Sequence, residues 1–171
     1  MKIFKASTLI ALALTVALTA CGKKDGEGGG EGGGEGGGGG GGGGGAESID
    51  LPKLGLKADA PKGSKVSELM GSQMIQGPGV TVTIDLAKDS DPKTAEDAKK
   101  DAADTYGGKN IKEEKLADGF IVTYQNKGSM GENFFMVGRR EIDGKAYKCN
   151  VTAPQDAHQK SGAAICKSLK K

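Results

Sequence analysis

Between residues 22 and 45 the chain carries 18 glycines in 24 positions, broken only by Lys23, Lys24, Asp25, Glu27, Glu31 and Glu35. Glycine loses more backbone freedom on ordering than any other residue. A stretch without apolar side chains has nothing to bury in compensation. The Glu-Gly-Gly-Gly pattern ends at Gly36, and glycine then runs unbroken to Gly45. The tract is expected to be a flexible tether with an r.m.s. reach of about 25–30 Å and a full extension of roughly 80 Å. A phosphate-cradling loop would need a preceding strand, a following helix and a Lys-Ser/Thr pair. Collagen would need Gly-X-Y with proline. The sequence around the tract offers neither. The tract divides the chain into a leader (1–20), a tethering segment (21–45) and 126 residues (46–171) that must supply the fold. That length suits one small domain.

The leader has a short basic start, Lys2 and Lys5, then an apolar run from Leu9 to Leu18. A helix of that run would span only ~15 Å, half of the ~30 Å hydrocarbon core. It reads as the apolar region of an export signal rather than a stable span. The run ends in Leu18-Thr19-Ala20-Cys21. These four residues resemble the lipobox of bacterial lipoproteins. The resemblance implies cleavage after Ala20 and attachment of diacylglycerol to Cys21, which becomes the acylated mature N-terminus. Each buried CH₂ contributes about 0.8 kcal/mol, and two or more chains anchor stably where one does not. The competing reading is an ordinary secretory signal with a chance cysteine. Gly22 stands where Asp marks inner-membrane retention in some bacteria, so the expected address is the cell envelope, lipid-anchored and toward the outer membrane, on its periplasmic or surface face.

With Cys21 acylated, Cys149 and Cys166 are left as a pair. A pair in an exported domain reads as a disulfide. Closing a loop of that length is worth roughly 3 kcal/mol in the chain-entropy model. A zinc site would need four ligands at close spacing, and the single histidine, His158, offers little toward one. A catalytic Cys-His pair fits poorly, because a disulfide-bonded sulfur is no nucleophile.

In the remainder, Val80, Val82, Ile84 and Leu86 alternate with Thr81, Thr83 and Asp85, the period-two signature of a half-buried strand. Shorter strands are expected near 54–58 and at Met74–Gln76, the latter closed by Gly77-Pro78-Gly79, while Lys65–Met70 is ambiguous. Asp91 before Pro92 predicts a helix running to about Tyr106, burying Ala95, Ala98, Ala102 and Tyr106, and stopped by Gly107-Gly108. Strands are then expected over 109–116, 119–126, 133–142 and 145–152, parted by Asp118-Gly119, Asn126-Lys127-Gly128 and Asp143-Gly144. A last helix opens at Pro154 and runs to about Leu169, with Ala157, Ser161, Ala164, Ile165 and Leu169 as its buried stripe. Strands, helix, four-strand meander and helix make an α+β domain, a mostly antiparallel sheet covered by helices.

This order, the length near 125 residues and the closing Tyr147-Lys148-Cys149 … Cys166-Lys167-Ser168-Leu169 resemble the PsbP/Mog1-like fold over roughly 50–170. The resemblance implies an auxiliary or binding protein rather than an enzyme. It brings no functional residue with it.

Groups that could carry chemistry are few. Asp85, Asp89 and Asp91 suggest a cation site, but Pro92 and Lys93 interrupt the alternation a calcium loop needs, and helix capping is the better reading. His158 reads as a solvent-facing helical side chain. Ser64, Ser67, Ser72, Ser129 and Ser161 lack a nucleophile-elbow context. Arg139 and Arg140, adjacent in a strand, must point to opposite faces. Phe134-Phe135-Met136-Val137 is apolar on both faces, one for the core and the other for a covering helix or a partner. Lys109, Lys112 and Lys115 read as a solvated strand. The formal charge is only +2, which argues against nucleic acid as a partner. The expectation is a membrane-tethered, non-catalytic binding or accessory module with an envelope protein as partner. No catalytic residue, metal or cofactor is expected. The alternatives are a periplasmic carrier of small ligands or lipids and, less favoured, a hydrolase.

Overall fold

The computed structural model describes residues 45–129 and 131–171. Cys21, the leader and all but the end of the glycine tract lie outside the described residues. The described residues form β1 (Ala46–Leu51), β2 (Leu56–Pro61), β3 (Lys65–Leu69), β4 (Ser72–Gly77), β5 (Val80–Leu86), α1 (Ala95–Asp104), β6 (Lys109–Leu116), β7 (Gly119–Gly128), β8 (Gly131–Ile142), β9 (Lys145–Ala153) and α2 (Asp156–Lys167). The expected meander is present, with β7 and β8 two residues longer toward their shared turn. Asp143 and Gly144 both take positive φ, 50° and 70°, as a two-residue hairpin turn with the right-handed twist of its strands requires.

β1 and β2 pair as a separate hairpin. The other seven strands make one antiparallel sheet in the order β3-β4-β5-β9-β8-β7-β6. The chain leaves the middle of the sheet after β5, crosses one face as α1 and enters the far edge as β6. The meander then returns strand by strand until β9 pairs with β5, with Ile84 opposite Cys149. The architecture is α+β, dominated by its sheet.

Alternation along the strands builds two cores of different size. Ile75, Val82, Ile84, Ile121, Met136, Tyr147, Cys149 and Val151 face α2 and the β1–β2 hairpin, with Ile165, Cys166, Leu51 and Leu56 against them. On the opposite face Phe120, Val122 and Tyr124 meet Ala98 and Ala102 of α1, flanked by half-buried Phe135 and Val137. The apolar run in β8 is thus split between the two cores, and its second face is covered by α1 only in part.

Three local expectations are corrected. α1 starts at Ala95 rather than after Asp91. Its N-cap is Thr94, whose hydroxyl accepts from Asp97 N while the Asp97 carboxylate accepts from Thr94 N, a reciprocal capping box. Asp91 is engaged elsewhere, by Lys88 N at 2.7 Å and by Lys148 Nζ at 2.5 Å. The buried face of α2 matches the expected stripe only in part: Ile165 and Leu169 are buried as expected, but Gln159, Gly162, Ala163 and Cys166 are buried too, whereas Ala157 and Ala164 are exposed. The bond between Cys166 and Cys149 sets that phase. So does the close approach at Gly162, where an added Cβ would collide with Val151 Cγ2.

Candidate functional site

The cysteines expected to pair do so. Cys149 in β9 and Cys166 in α2 are disulfide-bonded with a Cα separation of 6.0 Å, tying the last helix to the middle of the sheet. Both are fully buried. Gly138 makes room for them, since a Cβ there would lie 2.8 Å from Cys166 Sγ.

Several other residues singled out in the sequence have structural partners, although the buried Ser67 hydroxyl has none among the described residues. Arg140 is 9% exposed. Its guanidinium holds Asp118 bidentately, Nε and Nη2 each donating at 2.7 Å, and donates through Nη1 to Cys166 O at 2.7 Å and Lys167 O at 2.5 Å. The last two are carbonyls that a helix end leaves without an intrahelical partner. The hydrogen bonds from Arg140 hold the Asp118 carboxyl below its ordinary range, with burial opposing. Arg139, on the opposite face as alternation requires, lies 3.8 Å from Glu141. The hydroxyls of Ser64 and Ser161 donate to Pro61 O and Ala157 O. His158 is half-buried in α2, beside the Gly79 turn. Among the described residues no group of three or more His, Cys, Asp or Glu is placed to hold a metal ion. Asp85, Asp89 and Asp91 therefore do not form a cation cluster. Burial disfavours ionisation of Asp91, but hydrogen bonds from Lys148 and the Lys88 backbone outweigh it, and its carboxyl titrates below the usual value.

The candidate site is a groove of about 370 Å³ on the α1 side of the sheet. Local sequence makes it. α1 lies on β6 and β7 and buries only the methyl groups of Ala98 and Ala102. Those buried side chains of α1 are too short to reach across β8 to β9. Its C-terminus is closed by Gly107 at φ 58° and by Gly108, where a Cβ would press to 2.7 Å from Ala102 O and 3.0 Å from the Tyr124 ring. That tight exit, with Asn126 Nδ2 donating to Tyr106 O at 3.0 Å, sets the Tyr106 ring on Tyr124 with centroids 6.1 Å apart. Tyr106 was expected to be buried. It lies beyond the helix end and is 52% exposed.

Tyr124 in β7 and Phe135 in β8 are cross-strand partners, and their rings stack 5.0 Å apart within 9° of parallel. Thr152 of β9 is the next residue in the same row, paired to Phe135. A ring parallel to Tyr124 on one side turns its other face toward β9, over Thr152. Asn150 continues the β9 wall, and the Asp91–Lys148 pair lies at the far margin. Tyr124 is only 4% exposed, and its hydroxyl makes no hydrogen bond to another described residue. Burial, with Tyr106 and the Asp101 carboxylate nearby, pushes its phenol up to about 12. Asp101 lines the same groove without an ion-pair partner among the described residues.

Sequence reasoning did not single out Tyr124, Asp101, Asn150 or Thr152 as a group. They come from three elements brought together only by strand order. Two partial signals existed, an aromatic residue just before Gly107-Gly108 and an apolar run in β8 with one face too many.

No family model matches the chain, and no curated protein matches it. Among solved structures it is similar to cyanobacterial PsbP (CyanoP) from Synechocystis sp. PCC 6803, determined in solution, at 14% identity. The match covers 79% of this chain and 97% of that one, with a TM-score of 0.46.

Proposed function

We propose that this protein is a lipid-anchored module of the bacterial cell envelope that binds a partner rather than catalysing a reaction. Its sheet domain is read as a PsbP/Mog1-like unit from the order of its elements. The observation that carries the reading is the join of two sequence features, the Leu18-Thr19-Ala20-Cys21 signature and the glycine tract directly after it. An acylated cysteine fixes the chain to a bilayer, and a coil of that length raises the local concentration of the domain throughout the adjoining layer. Arg140, Asp118, Asp91 and Lys148 are spent on holding elements together, which favours binding over catalysis. The α1-side groove is the binding face of this reading, because there aromatic surface and unpartnered polar groups meet.

Mass spectrometry of the mature protein from its native membrane tests the anchor. The expected N-terminus is Cys21 carrying diacylglycerol. A free Cys21 thiol, or an intact leader on a freely diffusing chain, refutes it. Cys21→Ser is expected to release the protein from the membrane fraction. Binding is tested by crosslinking in intact cells through a photoreactive residue at position 106, against the same probe at Lys65 on the distant edge strand. Recovery of an envelope component from position 106 alone supports the reading, and equal recovery from both positions refutes the assignment of the groove.

A further inference from the structure

We propose that the groove between α1 and β9 binds a neutral saccharide, with the free face of Phe135 as its platform and the polar side chains around it as its hydrogen-bond rim. The proposal rests on the groove being the binding face and names its ligand class. It does not depend on the anchor at Cys21.

The lining discriminates among ligand classes. An anionic ligand would need a cation free to meet it. Among the described residues the one lysine lining the groove, Lys148, is held by Asp91 at 2.5 Å, and the remaining charge is the carboxylate of Asp101. A purely apolar ligand would bury Asp101, Asn150 and Thr152 against carbon and leave them without partners, at a cost for each. A quaternary ammonium would want a cage of open ring faces. Here both faces of Tyr124 are already covered, by Tyr106 and by Phe135. A pyranose matches what is left. It has a flat face of C–H groups to lie against one ring and an equatorial rim of hydroxyls that both donate and accept. Those hydroxyls suit Asp101 as acceptor, Asn150 as donor and acceptor, and the Tyr124 and Thr152 hydroxyls as either. The Tyr124 hydroxyl is the most telling group, because its ring is buried on the side of the sheet where the groove lies, the hydroxyl itself is not sealed off there, and it has no hydrogen-bond partner among the described residues. The volume leaves room for about two hexose rings.

The chain supplies its own reporter. It has no Trp and three Tyr, two of which, Tyr106 and Tyr124, line the groove. Tyrosine emission of the full chain in detergent would be titrated with triacetylchitotriose, maltotriose and the anionic trigalacturonate. The expected result is saturable quenching or enhancement by at least one neutral trisaccharide, with trigalacturonate at least about tenfold weaker. Asn150→Ala is expected to weaken neutral binding about tenfold. Phe135→Leu, which keeps apolar bulk but removes the flat face, should abolish it. Should Phe135→Leu fail to fold, Tyr106→Ala at the exposed rim tests the same wall by calorimetry, with an expected loss of about tenfold. No saturation by either neutral trisaccharide up to about 10 mM, trigalacturonate binding as tightly as the neutral sugars, or neutral binding unchanged in both Asn150→Ala and Tyr106→Ala would each overturn the proposal. A null titration alongside specific crosslinking at position 106 would reject the saccharide and leave the binding face standing.

Discussion

Arg140 joins the end of the last helix to the turn before β7, and removing it tests how the fold is closed. In Arg140→Ala, Cys166 O and Lys167 O lose a charged donor, and Asp118 loses both of its bidentate bonds. Hydrogen bonds to charged groups contribute about 1.5–3 kcal/mol each, but Asp118, with its side chain 33% exposed, regains water on losing its partner. The expected loss is therefore toward the lower end of that for a broken buried pair, about 3–4 kcal/mol. For a domain of this size that lowers the melting temperature by about 10–15 °C. Arg140→Lys keeps the charge but not the fork and should lose roughly half as much. Asp118→Asn leaves the helix carbonyls served and should cost about 1–2 kcal/mol. Thermal melts and urea titrations of the three variants and the double variant Arg140→Ala/Asp118→Asn give the coupling directly. The Asp118 carboxyl is held below its ordinary value. Its contribution is complete above about pH 3.9, the unfolded value, and is lost as pH falls through the lower folded value. The parent should therefore lose more stability on acidification than Asp118→Asn. An Arg140→Ala protein melting within about 3 °C of the parent would refute the argument.

Three further outcomes follow from the same geometry. Reducing the Cys149–Cys166 bond, or Cys149→Ser with Cys166→Ser, should remove about 3 kcal/mol, and an unchanged melt or two titratable thiols in the native protein would contradict it. Gly162→Ala, which helix propensity alone would make stabilising by about 1 kcal/mol, should instead destabilise by about 1–3 kcal/mol, because the new methyl meets Val151 across the helix–sheet interface; a higher urea midpoint would refute this. In an ultraviolet pH titration Tyr124 should remain a phenol until about pH 12, and Asp101→Asn should bring its midpoint down.

Much of the sheet was legible because its signals are local. Val80 to Leu86 alternate strictly, Asp143-Gly144 marks a turn that needs positive φ, and Asp118-Gly119 marks one where Gly119 passes too close to Arg139 O for a side chain. What failed had distant causes. Asp91 looked like a cap, but Lys148, far along the chain in β9, takes one of its carboxylate oxygens, and the cap falls to Thr94. The stripe expected on α2 follows helical spacing alone, whereas a disulfide and a missing side chain at Gly162 turn the helix so that polar Gln159 is buried. There its amide donates to Tyr124 O and Phe135 O. The same residue pair forms the floor of the groove on the opposite face, which no local pattern could announce.

The sequence by itself determined β5 and the four-strand meander with its turns, the two helices and the pairing of Cys149 with Cys166, because each follows from side-chain period, turn chemistry or the count of cysteines, whereas β1 went unread and β3 stayed ambiguous. Only the tertiary structure decided which strands are neighbours and which face α1 leaves bare. That choice depends on β9 returning to pair with β5, a non-local closure whose free energy is shared across the whole sheet. It sets Phe135 beside Thr152 and leaves the Tyr124 hydroxyl without a hydrogen-bond partner among the described residues.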